Sequence, residues 1–382
     1  MTENDPLTAS FERLINLINA KCDQIESRLL PAGHITPEQV QIANLKQDFT
    51  AELEALEPIR HLLDDDSVTD ILINGPHEVY AEKDGKMTKT DITFSDDLQL
   101  WKIASDIAAR VNRFLDPQHP IVDARLSDGS RVNIVTFPLS LDGTTISIRK
   151  FGKNIFSLTE LASLGSLSPH MADLLKIAAA CRLSILVVGG TGSGKTTLLN
   201  AISQHIHPDT RVITIEDSAE LRLAIPHKVR MESKPHIHGQ PGYTEVTIRD
   251  LVKNALRMRP DRIIVGETRG AEAFDIIQAM NTGHEGSMTT IHSNSARDAM
   301  TRLENMLMMA VPNLPQKAIR QQISSAVNMV VMIRRMRDGK RRVVNISEVV
   351  GMEGDTIVMQ DLFDFKDEGD MPDGKIKGGF RS

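Results

Sequence analysis

Residues 189–197 read GGTGSGKTT and follow the apolar run Leu183-Ser184-Ile185-Leu186-Val187-Val188. Gly189, Gly190, Thr191, Gly192, Ser193, Gly194, Lys195 and Thr196 satisfy the pattern G-x-x-x-x-G-K-[ST], and Thr197 opens the helix-like stretch TTLLNAI. Each residue type has a reason. Glycines let backbone N–H groups approach phosphate oxygens with no Cβ in the way. Lys195 reaches the β- and γ-phosphates, and the Thr196 hydroxyl can ligate Mg²⁺. The following helix turns its positive end toward the anion. Strand, glycine loop and helix together point to ATP bound with Mg²⁺; a glycine-rich turn with no ligand is the weaker alternative.

Working outward, two more apolar runs end in acids. IIVGE at 263–267 places Glu267 beside the loop, on Mg²⁺ or its waters, with Gly266 where an aspartate is usual. TIED at 214–217 makes Glu216 a candidate general base for an attacking water and Asp217 a residue that holds a neighbour. Two such carboxylates suit a hydrolase, and which acid takes which role stays open. The stretch TGHEGSMTTIH supplies His284 and His292, either of which could sense a γ-phosphate or pair with Glu267. Their spacing and the lack of a nearby cysteine disfavour zinc. His205/His207 and His236/His238 read as solvated loop residues.

The surrounding chain sets the scale. With 382 residues it exceeds one ordinary core. The net charge of −7, from 44 basic and 51 acidic residues, gives no whole-chain signal for nucleic acid. Cys22 and Cys181 form no CxxC pattern, which suits a reducing cytoplasm. The polar start MTENDPLTAS is no secretory signal, and the apolar stretch 183–194 is shorter than the about 20 residues of a membrane span.

Periodicity divides the chain into four parts. Residues 1–55 read as a helical extension of two helices broken at Pro31-Ala32-Gly33. Residues 56–152 read as a small α/β domain: strands in VTDILING, EVYAEKDGKM, TDITF, PIVDARLSDGSRVNIVTF and TTISIRKF, and an amphipathic helix in DLQLWKIASDIAARVNRF. Residues 153–365 alternate strand and helix, which argues a mostly parallel sheet covered on both faces, closed by a β-meander. The polar, glycine-rich 366–382 reads as a flexible tail.

The long motifs carry a resemblance. The phosphate loop, TIED, IIVGE and the two-histidine stretch, in that order, resemble the Walker A, Asp, Walker B and His boxes of the type II/type IV secretion ATPase superfamily. PIVDARLSDGSRVN, SIRKF, NALRMRPDRIIVGETRGAEAFD, QAMNTGHEGSMTTIHSNSARDAMTRLENM and EVVGMEGD look most like the tight adherence (Tad) pilus assembly ATPases of CpaF type. The resemblance spans about residues 60–365; ALEPIRHLL departs from it, and residues 1–50 match weakly. It implies a RecA-like P-loop ATPase domain behind a small PAS-like domain. It also implies a homo-hexamer in the cytoplasm, peripheral at the inner membrane, acting with a membrane platform protein; the net charge of −7 and the lack of a clustered basic face argue against direct nucleic-acid contact. The positions matching the family's γ-phosphate arginines are Arg125, Arg131 and Arg149; Arg257, Arg259, Arg262 and Arg269 read as structural. The competing readings are a conjugation-type ATPase exporting DNA or effectors, a catalytically silent nucleotide-binding scaffold, and a small-molecule kinase.

Overall fold

The computed structural model describes residues 56–83, 85–111, 113–126, 128–150, 156–234, 244–372 and 374–382. The expected N-terminal helices, the linker at 151–154 and the His236/His238 pair lie outside them. The chain forms two compact units, Met1–Gly152 and Lys153–Ser382.

In the first unit a 3-10 turn at Glu57–Ile59 leads into α1 (Arg60–Asp64). The strands are β1 (Val68–Asn74), β2 (Val79–Lys83), β3 (Lys86–Lys89), β4 (Ile121–Arg125), β5 (Arg131–Val135) and β6 (Thr145–Arg149). They make one antiparallel sheet in the order β3-β2-β1-β6-β5-β4. The strand period puts Ile71, Ile73, Val132, Ile134, Ile146 and Ile148 on one face, where α2 (Asp97–Arg110) covers them with Leu100, Ile103 and Ile107. Asp96 caps that helix by accepting from the Gln99 amide at 2.8 Å. The stretch TDITF is not a strand: it leaves the sheet after the Thr90 amide donates to the Val79 carbonyl, and buries Phe94 as a plug.

The second unit begins with α3 (Leu158–Ser163) and α4 (Pro169–Ala180), both started by serine caps, Ser157 and Ser168. Then follow β7 (Ile185–Gly189), α5 (Lys195–Ser203), β8 (Val212–Glu216), β9 (Lys228–Glu232), α6 (Ile248–Ala255), β10 (Arg262–Val265), α7 (Glu272–Asn281), β11 (Met288–His292), α8 (Ala296–Ala310), α9 (Gln316–Ala326), β12 (Met329–Arg335), β13 (Arg341–Glu353), β14 (Thr356–Asp370) and β15 (Ile376–Arg381). They form a nine-stranded sheet, β15-β14-β13-β12-β7-β11-β10-β8-β9. Pairing is parallel from β12 to β9 and antiparallel from β12 to β15. Successive residues of one strand feed opposite cores: Leu186, Val188, Ile213 and Ile263 meet α6 to α9, while Ile185, Val187, Val212 and Ile264 meet α3 to α5. That double burial is why these strands read as unbroken apolar runs. Among the described residues no helix is long and apolar enough to cross a membrane.

The flexible tail expected at 366–382 is corrected: β14 runs on to Asp370 and β15 pairs with it through Phe365↔Phe380 and Lys366↔Gly379. The two rings meet edge to face with centroids 5.1 Å apart, and Arg337 bridges Asp367 and Asp370. The glycine that suggested flexibility serves packing, since a Cβ on Gly378 would stand 2.7 Å from Phe365 Cζ.

Candidate active site at the carboxyl edge of the parallel sheet

Parallel pairing puts strand ends level. His292 is opposite Gly189, and Val265 is opposite Ile215, so Gly189, Glu216, Glu267 and His292 share the carboxyl edge. In open α/β sheets that edge is where ligands bind.

The phosphate loop leaves β7 at Gly189 and enters α5 at Lys195. Gly192 and Gly194 hold φ of +67° and +98°, values L side chains rarely adopt. At Gly189 a Cβ would stand 2.6 Å from Ser193 Oγ, whereas at Gly190 and Gly192 it would meet nothing within 4 Å. The inner wall is therefore closed to side chains and the outer rim is open. Lys195 is 8% exposed, and its Nζ donates to the carbonyls of Gly189 (3.2 Å) and Gly190 (3.0 Å) and lies 3.4 Å from the His292 ring nitrogens. Burial lowers its pKa, against the attraction of Glu267. Thr196 and Thr197 are half-buried on the first turn, and Thr191 is exposed on the loop.

The two acids have unlike surroundings. Glu216 is 3% exposed; its Oε1 accepts from the amides of Glu220 and Leu221, both at 2.9 Å, and its buried Oε2 has no hydrogen-bond partner. Burial outweighs those amides and pushes its pKa up to about 7. Burial also acts on Glu267, but the Arg269 guanidinium, His292 and Lys195 together hold that carboxyl below its ordinary value. Arg269 Nη2 donates to Glu267 Oε2 at 2.7 Å, while Nη1 lies 3.4 Å from Asp217 Oδ2. His292 Nε2 is 3.1 Å from Glu267 Oε1, close enough for attraction but off the line of a hydrogen bond. Burial and Lys195 lower the His292 pKa, against the attraction of Glu267.

Gly266 explains the displaced acid. A Cβ at 266 would sit 2.8 Å from Glu216 Cγ, so a side chain there would force Glu216 to shift. The Gly266 amide is tied to the Ile215 carbonyl at 2.9 Å, and its own carbonyl accepts from Thr290 Oγ1 at 2.8 Å. These anchors fix the turn that delivers Glu267.

The residues proposed from sequence thus part company. The loop, Glu216, Glu267 and His292 come together. His284 does not: it precedes β11, at the amino edge, and its Nδ1 lies 3.3 Å from the Ala279 carbonyl. The five-residue strand that ends at His292 spans about 13 Å. Arg262, fully buried at the start of β10, belongs to that far edge too. Arg125, Arg131 and Arg149 fall into one cross-strand row of the first unit, closed by Asp70, whose Oδ1 is 3.7 Å from Arg149 Nε. Arg269, read as structural, instead links the two acidic strand ends; its place two residues after Glu267 was the available signal. Arg341 was missed altogether: its Nε donates to the Gly192 carbonyl at 2.9 Å.

An open-rimmed nest of loop amides, a buried lysine and two carboxylates with unmet oxygens fit a nucleotide's phosphates and a hard cation. Comparison with known proteins agrees with this. The family described as "Type II/IV secretion system protein" matches residues 52–360. A putative conjugal transfer protein of Mycobacterium tuberculosis is 36% identical over 319 residues, covering 82% of this chain and 89% of that protein. Type IV secretion system protein PtlH of Bordetella pertussis is 35% identical over 327 residues, covering 77% and 93%. The solved structure of the Legionella pneumophila ATPase DotB shares the fold, with a TM-score of 0.56 at 20% identity over 78% of this chain and 81% of that one. The chain therefore belongs to the type II/IV secretion system protein family.

Proposed function

We propose that this chain is an ATP-hydrolysing motor subunit of a secretion or pilus machine. The carrying observation is the pair of carboxylates at the ends of the neighbouring strands β8 and β10, one with a raised and one with a lowered pKa, at the same sheet edge as a phosphate loop. Glu216, with its pKa near neutrality, takes the proton from an attacking water. Thr196 and Glu267 would hold Mg²⁺, which when bound offsets negative charge on the β- and γ-phosphates. Lys195 binds the same oxygens, His292 contacts the terminal phosphate, and Arg269 keeps Glu267 ionised. Six such subunits in a ring, working on an inner-membrane platform protein, turn hydrolysis into movement.

Two cargoes fit this motor about equally. The tight-adherence motifs favour assembly, and also retraction, of a Tad pilus. The names of the relatives favour conjugation-type export of DNA or effectors. Deleting the gene and scoring surface pili against transfer of a marked plasmid separates the two.

The test of the core reading is phosphate release by the purified chain beside Lys195→Ala and Glu267→Gln, with particle mass measured with and without ATP. Slow release by a six-subunit species, lost in both variants, is expected. ATP binding without turnover under any assembly condition would instead support the silent scaffold.

A further inference from the structure

The site above draws on β7, β8, β10 and β11, yet the hairpin joining β12 to β13 also touches the phosphate loop. Residues 334–342 read RRMRDGKRR. Most of this charge has local partners. Arg337 bridges Asp367 and Asp370, Arg342 donates to both oxygens of Asp338 at 2.9 and 2.8 Å, and Arg334 donates to the Asn294 carbonyl at 3.0 Å. Arg341 is different. Its Nε reaches 149 residues back to the Gly192 carbonyl, and its Cδ stands 3.1 Å from where a Cβ on Gly194 would be. The Ile333 backbone, near the end of β12, closes against Gly189 on the other side.

A loop with glycine at 189, 190, 192 and 194 has little conformational preference of its own. Gly192 and Gly194 sit at positive φ, where nothing in the loop sequence holds them. A peptide unit is planar and trans, so fixing the Gly192 carbonyl on one side turns the Ser193 N–H to the other. That N–H is only weakly engaged, 3.4 Å from the Gly190 carbonyl. Whatever restrains the Gly192 carbonyl therefore also aims an amide that the phosphates would use.

We propose that Arg341 is a positioning residue for phosphate binding: by holding the Gly192 carbonyl it pre-forms the amide nest and couples nucleotide affinity to the β12–β13 hairpin. The inference rests on the nucleotide reading above. Acting through the nest, Arg341 contributes equally to ADP and ATP, and binding energy lost with it is ordering of the loop rather than contact with the terminal phosphate.

The experiment is titration of the full chain with ADP and with ATP, both with Mg²⁺, for Arg341→Ala, Arg341→Lys and Lys195→Ala. Arg341→Ala is expected to weaken both nucleotides together by about fivefold, the scale of one exposed charge-assisted hydrogen bond. Hydrolysis at saturating ATP should change less than twofold, and Arg341→Lys, which keeps a donor, should recover most of the affinity. Arg341→Gln, which keeps the side-chain stem, replaces the alanine variant if that variant melts at lower temperature without nucleotide. Parent-like affinity for both nucleotides in the alanine or glutamine variant, with Lys195→Ala unable to bind, overturns the role of Arg341 and leaves the nucleotide reading standing. A loss confined to ATP also overturns it, because it marks direct contact with the terminal phosphate. Normal binding by Lys195→Ala overturns the nucleotide reading itself.

Discussion

Replacing Glu216 by glutamine should stabilise the protein, and increasingly so as pH rises. Glu216 is buried at the end of β8, with Oε1 held by two amides and Oε2 unmet. Its pKa moves from 4.5 to about 7 because burial penalises the carboxylate. A group whose folded pKa is raised contributes stability in full below its unfolded pKa and loses it as pH climbs through the folded value. The window is therefore about pH 4.5 to 7. A shift of about 2.5 units at about 1.36 kcal/mol each corresponds to roughly 3 kcal/mol. Glutamine keeps the Oε1 acceptor and cannot ionise. Urea unfolding of both proteins from pH 4.5 to 8.5 isolates the effect, since other titrating groups cancel in the difference. The variant should match the parent near pH 4.5, gain through the window, and exceed it by about 3 kcal/mol from about pH 8 upward. A difference that is flat, or that shrinks with rising pH, would refute the claim that burial dominates this carboxyl. Activity should run the other way. On the proposed reading, phosphate release by the parent rises with pH to about 7 and levels off, and Glu216→Gln loses about 10²–10⁴-fold.

Gly266→Ala brings a Cβ to 2.8 Å from Glu216 Cγ, so urea unfolding should show a loss of about 1–3 kcal/mol and phosphate release should fall at least about tenfold, with ADP affinity kept. Arg269→Ala removes the main group holding the Glu267 carboxyl down; Mg²⁺-dependent nucleotide binding, titrated against pH, should then be lost on acidification at a higher pH than in the parent. Gly378→Ala pushes a methyl into Phe365 and the Lys366 backbone; the urea midpoint should drop by the equivalent of about 1–3 kcal/mol, an effect a disordered tail would not show.

What could be read from the sequence follows the physics of each element. The runs around β7, β8, β10 and β11 are unbroken because helices cover both faces, so their carboxyl ends, and the acids on them, stand out. β9 went unread because it is the sheet's edge: Lys228, Arg230 and Glu232 alternate with Val229 and Met231, and no residue in it is fully buried. The tail misled because composition cannot distinguish a glycine that frees the chain from one that lets an aromatic ring approach, as Gly378 does for Phe365. His284 and His292 sit in one short motif, but a strand separates its ends faster than any other element, so eight residues divide the sheet's two edges. Arg341 lies 149 residues from its partner carbonyl, a distance over which local pattern carries no information.

The sequence left open which acid does which work, and the division proposed here turns on a missing side chain. Were residue 266 the usual aspartate, its Cβ would take the space of Glu216 Cγ. With glycine there, Glu216 is buried with its Oε1 held by two amides and its Oε2 without a hydrogen bond, and its proton affinity rises. The displaced acid moves one residue on, to the rim, where Arg269, His292 and Lys195 surround it and its proton affinity falls. Two carboxylates at the ends of strands paired in register thereby become chemically unlike: one takes a proton near neutral pH, the other stays charged and suits a cation. A pair of acids with matched pKa values would have to share those tasks, with one of them poorly placed for either. On this argument Gly266 is part of the catalytic design through the space it vacates, which is why the alanine variant, a single methyl, should cost more activity than affinity.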